Sequence, residues 1–404
     1  MTQLSNQSAV RRNYSLMTAV LCWSGMVVMC SLYVTIPLIS VFATTFGITT
    51  THAAATGSIF SLGFAVGCLI YGALSDKYGR KRVIFIGLIA LTIISLLLGM
   101  VHSLTWLIVL RGLQGAAAAT FSPVALAYAV EMFPAEKRVT TIGFISTGFL
   151  VAGIVGQVIS GLISQQYGWN AIFYLLAAVY AITSLLVLWL LPKGEIHQAH
   201  ANVWEPIKHI GKVFSQKNLV LSYLVALVLL MSFVSMYTVL GTYLSGPAFG
   251  LGKQEILYVR SFGVLGMMIS PFAGRLAKRF GVRSVLRGGL ALAILGLSSL
   301  GFISNLPLLL VMSLIFVTGI ALTVPSLVAL VGQLGGKSRG IAVSVYTFVL
   351  FAGTSLGPIL SIQFMKTGSF AITFLLLALV LGIGLLAACL IHRDTPMNIK
   401  SEVR

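Results

Sequence analysis

Charge is what this chain of 404 residues has least of: 8% of its side chains are charged, and only eight are acidic. A soluble domain carries about 25% charged residues. With 58% hydrophobic content and a mean hydropathy of +1.02, most of this chain has no polar face to offer water. A soluble globular domain is excluded, and so is a disordered or collagenous chain. Cysteine is scarce as well. Cys22, Cys30, Cys68 and Cys389 all sit inside apolar runs, with no CxxC or Cys/His spacing, so neither a disulfide framework nor a zinc site is implied. No metal and no cofactor is expected. No HExxH pair, nucleophile with its base, or set of paired carboxylates is present, which leaves an integral membrane enzyme as a remote alternative.

What the chain has instead is long apolar runs. About 20 apolar residues in a helix cross the roughly 30 Å of hydrocarbon in a bilayer. Twelve stretches between residues 16 and 391 meet that test, the first at 16–42, the fourth at 104–130 and the fifth at 139–164. The predicted fold class is an all-α integral membrane protein of twelve transmembrane helices in two six-helix halves. The expected division is 1–191, a polar linker 192–217 carrying His197, His200 and His209, and 218–404. The first stretch is too long for a signal-peptide core and reads as span one.

The formal charge of +18 is explained by its placement. Of the 26 basic residues, removing Lys253, Lys366, Arg111 and Arg260 leaves 22, and all of these fall on one side if the N-terminus is cytoplasmic. Basic residues are retained on the cytoplasmic side of a membrane. The expectation is therefore a multi-pass protein of the cell (inner) membrane with both termini cytoplasmic. Its basic surface faces anionic lipid, not nucleic acid, because there is no aromatic-basic platform.

An internal repeat lies at an offset near 202 residues. Gly72-Ala-Leu-Ser-Asp-Lys-Tyr-Gly-Arg-Lys-Arg-Val83 shares both glycines, the leucine and the valine with Gly274-Arg-Leu-Ala-Lys-Arg-Phe-Gly-Val-Arg-Ser-Val285. Pro123 matches Pro325, and Gly156 in span five matches Gly357 in span eleven. Parallel repeats of this kind enclose a central cavity and work by one half rocking against the other.

The first repeat copy resembles the loop signature G-x-L-x-D-x-x-G-R-K/R of the major facilitator superfamily, matched at Gly72, Leu74, Asp76, Gly79, Arg80 and Lys81. Arg111-Gly-Leu-Gln-Gly115 is similar to the R-x-x-Q-G motif of the twelve-span drug:proton antiporter branch, and Gly168-Trp169, Phe173, Tyr33 and Pro37 fit that branch. The resemblance implies a gate in which Gly72, Asp76, Gly79, Arg80 and Glu131 latch the inner face while the cavity is open outward. It also implies that Arg111 lies near the cavity and tunes a proton step; the residue-level alternative, a snorkelling arginine near the end of span four, stays open. For Arg260, five residues after Glu255, ion pairing and a cavity role are both open.

Two departures stand out. Against the span-five signature G-x-x-x-G-P-x-x-G-G this chain has Ala152-Gly-Ile-Val-Gly156-Gln157-Val-Ile-Ser160-Gly161, where Gln157 replaces the proline and Ser160 a glycine. Gly153, Gly156 and Gly161 still offer a small-residue packing face. None of the acids Asp76, Glu131, Glu136, Glu195, Glu205, Glu255, Asp394 and Glu402 lies in mid-span. Proton exchange is thus implied by the resemblance alone. Polar, aromatic and methionine residues within spans give the candidate substrate cavity: Trp23, Met26, Tyr33, Arg111, Gln114, Ser235, Tyr237, Arg260 and Tyr346. The expected function is secondary active export of a small amphipathic molecule, a drug or a metabolite, in exchange for protons. The alternative is an importer or exchanger of a sugar or organic anion on the same fold. The expected partners are membrane lipid, the small-molecule substrate and protons, and the chain is expected to act as a monomer.

Overall fold

The computed structural model describes residues 13–194 and 214–391, so most of the expected linker, with its three histidines, lies outside the described residues. Those residues form twelve helices long and apolar enough to cross a membrane. Span one is Tyr14–Tyr33, span two His52–Gly72, span three Arg80–Gly99, span four Leu104–Met132, span five Ala135–Tyr167 and span six Asn170–Leu190. Spans seven to twelve are Lys217–Ser245, Gln254–Phe280, Val282–Phe302, Leu306–Leu334, Arg339–Met365 and Phe370–Leu390. Helix is what lipid dictates, because hydrocarbon offers the backbone no hydrogen-bond partners and each N–H must find its carbonyl within the same segment.

Prolines decide where these helices break. Span one was expected to run to residue 42, but its helix stops at Tyr33 and a turn containing Pro37 leads into a separate short helix, Ile39–Phe46. Phe42 of that helix packs edge-on against Trp169, ring centroids 5.3 Å apart. Span four is two helices, Leu104–Ala118 and Ser122–Met132, with Pro123 in the first turn of the second. Proline suits a first turn, where its missing N–H has no intrahelical partner to lose. The matching Pro325 sits inside the unbroken helix Leu306–Leu334. Span eight is interrupted at Ser270–Phe272, a 3-10 turn around Pro271.

Between spans two and three a single residue, Gly79, makes the turn at φ 90°, and between spans eight and nine Gly281 does so at φ 84°. This left-handed region is open to glycine without steric cost. The two repeat copies therefore share a conformation as well as letters.

The packing also recurs. Span one lies on five as seven lies on eleven, two on four as eight on ten, and three on six as nine on twelve. Lipid supplies no hydrophobic drive between helices, so close backbone approach has to supply the contact energy. A methyl group added to Gly148 would stand 2.5 Å from the carbonyl oxygen of Cys22, and one added to Gly353 would collide with that of Leu227. Gly156 and Gly357 approach Cys30 and Met231 in the same way. Gly161 departs from the expectation: nothing lies within 4 Å of where its side chain would be, so it makes no helix-packing contact.

Candidate functional site

The charged loop ends define a basic face, carrying the turns between spans two and three, four and five, eight and nine, and ten and eleven. At this face the two sets of six spans meet tightly. A side chain at Gly72 would collide with Ser344 of span eleven, one at Gly143 with the backbone of Ser270, and one at Gly274 with Thr140. Spans two and eleven, and spans five and eight, thus touch with no room for a larger residue.

A charge cluster caps this contact. Arg80, 2% exposed, hydrogen-bonds Asp76 and Ser75, donates to the Gly72 carbonyl at 3.2 Å, and reaches Glu131 through Nε at 3.2 Å and Nη2 at 2.7 Å. Spans two, three and four are joined through one guanidinium. Arg339, the first residue of span eleven, places its Nε 3.3 Å from the same Glu131 carboxylate. A side chain at Gly340 would fall 2.6 Å from an Asp76 oxygen, so the carboxylate sits directly on the start of span eleven. Removing one partner of a buried ion pair costs roughly 3–5 kcal/mol. The structure brings together Gly72, Asp76, Gly79, Arg80 and Glu131 at this junction. Arg339 was not singled out in the sequence, where it reads as one more basic loop residue.

A cavity of about 300 Å³ lies between spans one, five, seven, eight and eleven, with Tyr33, Gln157, Phe233, Tyr237, Thr238 and Arg260 in its wall. A narrow extension of about 40 Å³ runs deeper, past Met29, Phe149, Leu230, Leu350 and Phe351. Tyr33, Leu150, Phe233 and Val234 line both. Arg260 donates through Nη2 to the Tyr237 carbonyl at 3.0 Å. Its Nε, and the Tyr237 hydroxyl, are buried with no hydrogen-bond partner among the described residues. Among the described residues, no acid lines this cavity. At 4 Å, a cation beside Arg260 would be repelled by about 1 kcal/mol in water and about 4 kcal/mol at a protein-like effective dielectric. Sequence alone does not single out Phe233 or Gln157 as cavity residues; Gln157, standing where the span-five signature has proline, puts a polar side chain in the wall.

Other candidates lie elsewhere. Arg111 is fully buried, and it lines neither the cavity nor its extension. Its Nε donates to the Thr56 carbonyl at 3.3 Å, its Nη1 to Gln114 at 2.5 Å, and its Nη2 makes a long 3.5 Å contact with Thr35. The guanidinium lies 4.3 Å over the Phe60 ring, and Gln114 passes the chain on to Ser95 at 2.9 Å. This is a cross-brace among spans one to four, and the snorkelling geometry does not occur. Trp23 is 41% exposed on the outside of span one, its indole donating to Thr183 of span six, so it is not in the cavity. Met26 lines neither lobe, Ser235 donates to the Gly357 carbonyl at 2.9 Å between spans seven and eleven, and Tyr346 is buried away from both. Glu255 accepts from the Gly252 N–H at 2.7 Å and caps span eight without pairing to Arg260. A larger cleft of about 420 Å³ near Lys81, Arg82 and Lys193 is walled only by residues at spans three and six and their adjoining loops, away from the central axis.

The family model of the Major Facilitator Superfamily matches residues 21–270 and 257–403. An uncharacterized MFS-type transporter of Bacillus subtilis (strain 168), YybF, is 27% identical over 342 residues, 80% of each chain. The multidrug resistance protein MdtG of Serratia proteamaculans (strain 568) is 26% identical over 278 residues, 67% of each chain. Among solved structures, a variant of the E. coli fucose:proton symporter FucP aligns with a TM-score of 0.77 at 15% identity, covering 95% of this chain and 100% of that one. The human organic anion transporter MFSD10 aligns at 0.74 and 15%, covering 93% and 99%. At such identity these two share the fold. Matched over nearly its whole length, the chain belongs to the major facilitator superfamily and is a multi-pass membrane transporter, not an enzyme.

Proposed function

We propose that the protein exports a small amphipathic molecule across the cell membrane by alternating access, in exchange for protons, with both termini cytoplasmic. The observation that carries this reading is the cavity between the two sets of spans, walled by aromatic and aliphatic side chains and shut at the basic face by the Arg80 cluster. With the basic face cytoplasmic, this is the arrangement of a transporter about to release outward. The similarity to relatives named as multidrug resistance proteins supports the outward direction. Asp76 and Glu131 are the acids at the closure, and their protonation would weaken the hold on Arg80 and Arg339. That ties a proton to the state of the inner gate. A ligand or proton shifts such an equilibrium only by the difference in its affinity for the two states.

A second reading, import or exchange of a sugar or organic anion, is favoured by one observation: among the described residues, no acid lines the cavity. The two are separated in everted membrane vesicles by imposing an acidic interior and following a panel of amphipathic compounds. Export by proton exchange predicts accumulation inside with dissipation of the gradient. Absence of both overturns it.

A further inference from the structure

We infer that the cavity is a binding site for an organic anion with an apolar body, its negative head on the guanidinium of Arg260 and its body against Tyr33 and Phe233. This deepens the export reading by naming the substrate class, and it rests on that reading only for the cavity's role as the transport site.

Several observations converge. Among the described residues, Arg260 is the one charged side chain in the wall of either lobe, so the field inside has a single sign. Within the described residues it pairs with no carboxylate; its hydrogen bond is to the backbone carbonyl of Tyr237. The Tyr237 hydroxyl lies one turn along, against Gly263, where an added side chain would collide with it. Two donors on residues of this wall, the Arg260 Nε–H and the Tyr237 O–H, thus lack an acceptor among the described residues. Buried donors are nearly always satisfied in native structures, and an exception calls for an explanation. A carboxylate or sulfonate supplies acceptors and the compensating charge together, and guanidinium binds such anions through a fork of donors. The rest of the cavity selects the body. Phe233 stands edge-on to Tyr237 at 5.2 Å, and the deep extension is lined by methionine, phenylalanine and leucine. A small hydrophilic anion would leave that lobe unfilled.

The test is equilibrium binding to the purified full-length protein in detergent, with three probes of one apolar body: naphthylacetate, its methyl ester and naphthylmethylamine. The expected order is acid over ester over amine, the acid tighter than the ester by about tenfold, equivalent to about 1.4 kcal/mol. Arg260→Gln should bring the acid down to the ester, while Arg260→Lys keeps a preference. Gln157→Glu, which puts a carboxylate in the same wall without touching Arg260, should abolish the acid's advantage even if Arg260→Gln fails to fold. An ester or amine that binds as well as the acid, no binding of the acid at millimolar concentration, or a ratio unchanged in both Arg260→Gln and Gln157→Glu would overturn the proposal. Because no gradient is present, the binding result is separable from export. The expected order of affinities can coexist with failed transport, and directed transport with equal affinities.

Discussion

Glu131 of span four and Arg339 of span eleven meet at 3.3 Å, in an ion pair that crosses from the first six spans to the last six. Its two sides are unequal. Glu131 is also held by Arg80, whereas Arg339 is 30% exposed. Exposed pairs contribute about 0.2–1 kcal/mol, so Arg339 trims the closed state without being indispensable to it.

From that follows a mild, directional effect of Arg339→Gln. The ratio of closed to open molecules at the basic face should fall by up to about fivefold, as expected for the loss of up to ~1 kcal/mol. Spin labels at Lys77 and Lys278, in a background where exposed Cys389 is serine, should report a broadened, longer distance. An unchanged distribution would remove Arg339 from the gate.

Arg80 behaves differently because it is buried and holds two acids. Arg80→Ala leaves Asp76 and Glu131 facing each other without its cation between them, and breaking such a buried pair costs about 3–5 kcal/mol. The variant should lose at least several degrees of thermal stability in detergent. Arg80→Ala combined with Asp76→Asn and Glu131→Gln should recover most of that loss, since no uncompensated buried carboxylate then remains and only the exposed-side pair of Glu131 with Arg339 is given up.

Arg111 serves three acceptors on two elements besides its own helix, and only a forked donor reaches them together. Arg111→Lys should therefore reduce transport turnover by about tenfold or more, since each hydrogen bond from a charged donor contributes roughly 1.5–3 kcal/mol. Transport by Arg111→Lys at the wild-type rate in reconstituted vesicles would show that the brace is dispensable to the cycle.

Two glycines in span five make a matched pair for thermal unfolding. Gly148→Ala sets a methyl 2.5 Å from a backbone oxygen and must push spans one and five apart, at a cost of about 1–3 kcal/mol. Gly161→Ala meets nothing within 4 Å and gains up to about 1 kcal/mol of helix propensity. The first should lower the unfolding midpoint, and the second should hold or raise it.

The twelve spans were legible in the sequence because lipid demands unbroken apolar length, a property that can be counted along the chain. Facing was not. A helix apolar all round does not mark its inner side: Trp23 has the chemistry of a cavity residue and lies outside it, while Phe233, one apolar residue among many, lines it. The Arg80 cluster was readable because its members fall within one short motif and one nearby acid. Arg339 comes from more than 200 residues further along, and only tertiary packing brings it there. Arg260 was visible as a charge where none should be, but not that its donors remain without a carboxylate.

Span four changes helix between Ala118 and Ser122, and that joint separates Arg111 from Glu131. The two residues share a span but sit on different helices. Its counterpart, span ten, runs as one rod past Pro325. The twofold plan therefore carries unequal levers. The first half has a break at mid-span between its brace and its gate, whereas the matching span of the second half has none.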